Sequence, residues 1–168
     1  MAMCALDAVA AGQITARVRV TGGDLSQLAL AKLRAGRYTE RQLADVPPSP
    51  RRRYFQLATA TPRDLAPPEL AKPNVFRVTE TLHSTVLAQP WNLCRPETFH
   101  PEPQDIIFCQ NLLIYLRRDA RPELVRRLGT CLRLGGYLFL APGEVLGLRL
   151  AGLERFDVPD CLIYQRVA

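Results

Sequence analysis

Two short runs limit what this chain can fold into. Ile106, Ile107, Phe108 and Cys109 of residues 105–109 (DIIFC), and residues 137–141 (YLFLA), are apolar without alternation. A strand with one wet face alternates apolar and polar side chains, whereas a strand covered on both faces does not. Both runs therefore read as strands buried on both faces of a parallel sheet. Between them, residues 121–134 carry Leu124, Leu128 and Leu132 in line, with Pro122 in the first turn. That spacing predicts a helix capped by Asp119 and closed by Gly135-Gly136. Strands alternating with helices imply a doubly wound α/β architecture.

The rest of the chain extends the same pattern. Residues 1–11 read as an alanine-rich helix, and residues 14–20 alternate Ile14, Ala16, Val18 and Val20 as a strand would. That strand ends at Thr21-Gly22-Gly23-Asp24. Asp24 or Ser26 then caps a helix with Leu25, Leu28, Ala29 and Leu33 on one face, closed by Gly36. Thr39 and Gln42 have the spacing of a capping box. Pro47, Pro48 and Pro50 are expected to interrupt regular structure. Residues 54–61 and 75–81 read as strands separated by the proline-rich loop 62–73, and residues 51–81 together read as a small inserted β-subdomain. Residues 85–88 read as a core strand leading to Trp91-Asn92-Leu93, and residues 111–116 as a loop or helical turn. Residues 153–158 and 161–167 flank Pro159-Asp160 as a terminal antiparallel hairpin.

Composition removes several classes of function. Over 168 residues, 22 Lys+Arg against 16 Asp+Glu gives a formal charge of +6, and all but Lys32 and Lys72 of the basic residues are arginine. The cluster Arg51-Arg52-Arg53-Tyr54-Phe55 is the one nucleic-acid-like patch, and it is short and isolated. No nucleic-acid partner is expected. No run approaches the roughly 20 apolar residues of a spanning helix, and no secretory leader is present, so a cytoplasmic protein without membrane insertion is expected. Cys4, Cys94, Cys109, Cys131 and Cys161 never form a C-x-x-C pair, which points to reduced thiols and to no metal site. His83 and His100 read as ordinary histidines.

In doubly wound sheets ligands sit beyond the carboxyl ends of the strands. Asp24, Asn92-Leu93 and Gln110-Asn111-Leu112 each follow a strand. A carboxylate at the end of a strand accepts both hydrogens of a ribose diol, so Asp24 reads equally as a nucleoside contact or as a helix cap.

The segments FCQNLLIYL (108–116) and LRLGGYLFLAPGEVL (132–146) resemble the C-terminal domain of CheR-type chemoreceptor methyltransferases, and GDLSQLALAKLRAGRY, RRYF and WNL agree in the same order. The resemblance covers nearly the whole chain. It implies a Rossmann-like methyltransferase sheet, mostly parallel with a terminal antiparallel hairpin. The implied cofactor is S-adenosylmethionine, with S-adenosylhomocysteine as product. The implied substrate is a glutamate side chain in the cytoplasmic region of a chemoreceptor or related signalling protein. Carried over by residue, Asp24 binds the ribose. Asn92, Leu93, Gln110 and Asn111 line the adenine and ribose pocket, and Tyr115 faces the methyl and the substrate carboxylate. These residues are expected to converge at one edge of the sheet.

The resemblance has departures. Gln110 stands where the family has Arg, Pro142-Gly143 where it has His-Ser before Glu144, and Gly23 where it has Thr. The inserted β-subdomain lacks a glycine at its expected turn. Counting back about 20 residues from Asp24 puts the glycine-rich cofactor turn at or before Met1. The first strand and that loop are therefore expected to be missing, leaving one methyltransferase-like domain over residues 1–168, incomplete at its start. From this follows an expectation of weak or no cofactor binding and no methylation by this chain alone. A non-catalytic, protein-binding relative is the alternative reading, and an RNA methyltransferase a weaker one.

Overall fold

A computed structural model describes residues 1–58, 75–95, 99, 102–144, 149–159 and 161–168. The chain divides into two compact units, Met1–Asn92 and Leu93–Ala168. It is a mixed α/β protein with parallel pairs and an antiparallel hairpin at its end.

In the first unit, helix α1 (Ala2–Ala10) precedes strand β1 (Val20–Asp24) and helix α2 (Gln27–Ala35). Strand β2 (Arg37–Thr39), helix α3 (Pro48–Tyr54), strands β3 (Phe55–Leu57) and β4 (Val75–Val78), helix α4 (Glu80–His83) and strand β5 (Val86–Pro90) follow. β1 pairs in parallel with β5, from Val20 opposite Val86 to Asp24 opposite Pro90. The strand therefore lies at residues 20–24, not 14–20. Alternation alone does not make a strand; backbone groups need a partner ladder, and β5 offers it to Thr21-Gly22-Gly23-Asp24.

α2 lies against β1 and β5, and it starts from Ser26, whose hydroxyl accepts the Ala29 N–H at 3.2 Å. Leu30 is its buried residue, while Leu25 and Leu28 are exposed, so the buried face is displaced from the one the sequence suggests. The capping box of Thr39 and Gln42 forms at a single 3₁₀ turn.

The prolines at 47–50 start a helix instead of breaking one. Pro48 and Pro50 lie in the first turn of α3, where the missing N–H has no intrahelical partner to lose. Strands β2, β4 and β3 form a separate antiparallel sheet with β4 in the middle. β2 comes from outside residues 51–81. Residues 59–61 and the loop 62–73 lie outside the described residues. Tyr54, Val78 and Leu82 form a core with Ala2, Met3, Leu6, Tyr38 and Phe55 packed around it. Asp7 of α1 accepts the Tyr54 hydroxyl at 2.7 Å and pairs with Arg53.

The second unit holds strand β6 (Gln104–Cys109), helix α5 (Arg121–Thr130) and strands β7 (Leu132–Leu140), β8 (Leu153–Val158) and β9 (Cys161–Arg166), in sheet order β6-β7-β9-β8. β6 and β7 are parallel; β9 is antiparallel to both β7 and β8. The terminal hairpin is as expected.

α5 stops at Thr130, so Leu132 belongs to β7, and Gly135-Gly136 lie inside that strand at an irregularity of the β6–β7 register. Asp119 does not cap α5. Ala120 holds that position, and Asp119 pairs with Arg117. α5 buries Leu124, Val125 and Leu128, and the sheet buries Leu138, Leu140, Leu162 and Tyr164. The other face of β6 stays open, with Ile106 47% and Phe108 46% exposed. The strand reading of residues 105–109 is right and the burial of both faces is not, because among the described residues of this unit α5 is the one helix packing on β7. Phe108 stacks instead on Phe139, ring centroids 4.5 Å apart.

Candidate functional site

The candidate residues fall in both units. Asp24, at the end of β1, and Asn92, two residues past β5, belong to the first. Leu93, Gln110, Asn111 and Tyr115 belong to the second.

Asp24 is exposed, and its Oδ1 accepts the Ser26 N–H at 2.8 Å. Ser26, not Asp24, is the N-cap of α2. This local bond ties the carboxylate to the start of α2 while the side chain stays exposed. Trp91, which the sequence reading quoted only as part of WNL, sits directly beside it. Its backbone N–H donates to the Asp24 carbonyl at 3.2 Å, extending the β1–β5 ladder. Its indole lies over Gly23, where a Cβ would fall 2.1 Å from Cε3 of the ring. The lack of a Cβ at Gly23 is therefore what admits the indole.

In the second unit, the carbonyl of Leu93 accepts the Arg127 guanidinium. Gln110 and Asn111 follow β6 and are exposed. Asn111 has φ 57°, and among the described residues it is the one non-glycine with positive φ. Asn tolerates this left-handed geometry better than most residues. A 3₁₀ turn, Leu113–Tyr115, then places Tyr115 82% exposed.

Among the described residues of this unit, one acidic side chain is buried. Glu144 is 4% exposed. Its Oε1 accepts the Leu113 N–H at 2.9 Å, and its Oε2 accepts the Ala141 N–H at 3.0 Å. Arg121 donates to the carbonyls of Leu116 (3.3 Å), Glu144 (3.2 Å) and Ile114 (3.5 Å). Burial, and secondarily the Glu144 charge, pushes the Cys109 thiol up to about 11, so Cys109 stays protonated and unreactive at neutral pH. The sequence marks Glu144 only as the residue after Pro142-Gly143 in the family resemblance; its burial is not readable from residue type.

Among the described residues no helix is long and apolar enough to cross a membrane. The chain matches the family model "CheR methyltransferase, SAM binding domain" over residues 1–156. It is 31% identical over 135 residues to a chemotaxis protein methyltransferase of Klebsiella aerogenes, covering 80% of this chain and 43% of that protein. The Escherichia coli chemotaxis protein methyltransferase is 30% identical over 79% of this chain and 43% of its own length. A probable biofilm formation methyltransferase, WspC of Pseudomonas aeruginosa, is 32% identical over 55% of this chain and 22% of its own. The chain thus spans under half the length of these relatives. An O-methyltransferase family protein from Burkholderia thailandensis aligns with TM-score 0.39 and 13% identity over 52% of this chain and 37% of that one, too slight a likeness to argue from.

Proposed function

The chain belongs to the CheR methyltransferase family, and from that membership we propose that it binds S-adenosylmethionine weakly and is part of a protein that methylates glutamate side chains in the cytoplasmic regions of chemotaxis receptors. The observation that carries the cofactor reading is the end of β1: an exposed carboxylate at Asp24, tied locally to the Ser26 N–H, with Trp91 bonded to its backbone.

By the family resemblance, Asp24 would take the ribose hydroxyls, Asn92, Leu93, Gln110 and Asn111 would contact the adenine and ribose, and Tyr115 would face the methyl and the incoming carboxylate. When bound, S-adenosylmethionine supplies a methyl group activated by its sulfonium. The substrate carboxylate has an ordinary pKa near 4.3 and is already ionised at neutral pH, so no general base is needed. What the chain would contribute is orientation. The Tyr115 ring face favours a neighbouring cation.

The test is an NMR titration of the whole chain with S-adenosylhomocysteine, which detects weak binding. Amides of Asp24, Trp91, Asn92, Gln110 and Asn111 should shift, and Asp24→Ala should weaken binding at least tenfold. This is the loss of about 1.4 kcal/mol, in the range for one charge-assisted hydrogen bond. No shift at millimolar ligand overturns the reading.

A further inference from the structure

The resemblance marks Pro142-Gly143 as a departure. The structure shows what these two residues build. The Glu144 N–H donates to the Ala141 carbonyl at 3.3 Å, and Gly143 has φ 80°. That is a type II turn over residues 141–144, with proline at its second position and glycine at the third, where φ must be positive. The turn reverses the chain directly after β7 and sends the Glu144 side chain back beneath it.

The carboxylate then bonds two backbone N–H groups from different segments, Ala141 within the turn and Leu113 after β6. A buried carboxylate is costly unless such bonds satisfy it. Leu113 is 0% exposed, and it lies two residues past Asn111. A non-glycine residue held at positive φ persists where its surroundings over-determine it. Here the surroundings are β6 on one side and the Glu144 bond on the other. Arg121 closes the arrangement from α5 by bonding the Glu144 carbonyl together with those of Ile114 and Leu116.

We propose that Glu144 is a positioning residue: delivered by the Pro142-Gly143 turn, its carboxylate holds the segment after β6 in the shape that presents Asn111. The proposal rests on the reading of Gln110 and Asn111 as cofactor contacts. Pro142-Gly143 is then a rigid replacement that keeps Glu144 in place, and not a sign of a lost site.

Amide hydrogen exchange and NMR on the whole chain test this with Glu144→Ala and Glu144→Gln. In Glu144→Ala the Leu113 and Ala141 amides should exchange at least tenfold faster while those of Leu138 and Leu140 keep their protection. Asn111 should lose the strong intraresidue amide–Hα Overhauser contact that positive φ produces. Glu144→Gln keeps one acceptor oxygen, so one of the two amides should stay protected and Asn111 should be partly rescued; this variant carries the test if the alanine variant does not fold. Unchanged exchange at Leu113 and unchanged Asn111 geometry in a folded Glu144 variant overturn the clasp. A titration with S-adenosylhomocysteine separates the two layers. If wild type shows no shift at Gln110 or Asn111, the cofactor reading fails and the positioning role with it. If wild type shifts and Glu144→Ala binds equally well, the positioning role alone fails.

Discussion

Replacing Gly23 by alanine adds one methyl group at the tightest of the described glycine positions. An ideal Cβ there lies 2.1 Å from Cε3, 2.8 Å from Cδ2 and 3.0 Å from Cζ3 of Trp91. Carbon atoms rest about 3.5–4.0 Å apart, so the ring must retreat by roughly 1.5 Å. These are fused ring atoms with no flexible tip to bend, so the whole indole has to rotate away. Overpacking of this kind costs about 1–3 kcal/mol. The same substitution lowers the entropy of the unfolded chain, a gain of about 0.4–1 kcal/mol. The steric term wins, and Gly23→Ala should be destabilising. Trp91 is the sole tryptophan of the sequence, so intrinsic fluorescence reports the displaced ring without a label. The emission should shift to the red, and the urea midpoint should fall. In a Trp91→Ala background the penalty should vanish, leaving a coupling energy of the same size. If Gly23→Ala is as stable as wild type with unchanged emission, Trp91 does not lie over Gly23 and the account of that strand end is wrong.

Two pH dependences follow from the structure. The folded Cys109 thiol is raised from 9.0 to about 11, by burial first and then by the Glu144 charge. The folded state therefore holds a proton that the unfolded state releases between about pH 9 and 11. The contribution is complete below pH 9, and stability should drop by about 3 kcal/mol through that window; urea melts of wild type and Cys109→Ala check it, with the alanine variant losing the slope. Asp7 moves the opposite way, held below the ordinary 3.8 chiefly by the Tyr54 hydroxyl and then by Arg53. Its contribution is present above that value and lost as pH falls through the folded pKa, so Asp7→Asn should flatten the acid limb of a thermal-melt pH series.

The sequence revealed elements wherever one local rule decides them. The capping box at Thr39 and Gln42, the closing Gly36 and the hairpin either side of Pro159 are of this kind, because a turn or cap is set by a few adjacent residues. It misplaced elements whose limits are set by partners distant in the chain. β1 lies at residues 20–24 because β5 pairs there, although residues 14–20 alternate better. Leu132 fits the apolar line of α5, yet it begins β7 because its register partner is Gln104. The proline run failed for a different reason: proline breaks helix interiors, and here it occupies the one turn where its missing N–H costs nothing.

The candidate site shows the same division, with a consequence for how departures from a family pattern are read. Position after a strand was enough to single out Asp24, Asn92, Gln110 and Asn111. What supports them came from residues whose significance depends on contact. Gly23 in place of Thr reads in sequence as one polar group fewer; in the structure it is the vacancy that the Trp91 indole fills. Pro142-Gly143 in place of His-Ser likewise reads as two polar residues fewer. In the structure the pair makes a turn whose fourth residue, Glu144, ties Leu113 to Ala141. Both changes substitute shape for hydrogen-bonding capacity and leave the neighbouring candidate in place, Asp24 in one case and Asn111 in the other. Pro142-Gly143 is therefore compatible with a segment after β6 still held in shape, so this substitution does not by itself favour the scaffold-only alternative that the letters suggest when read one at a time.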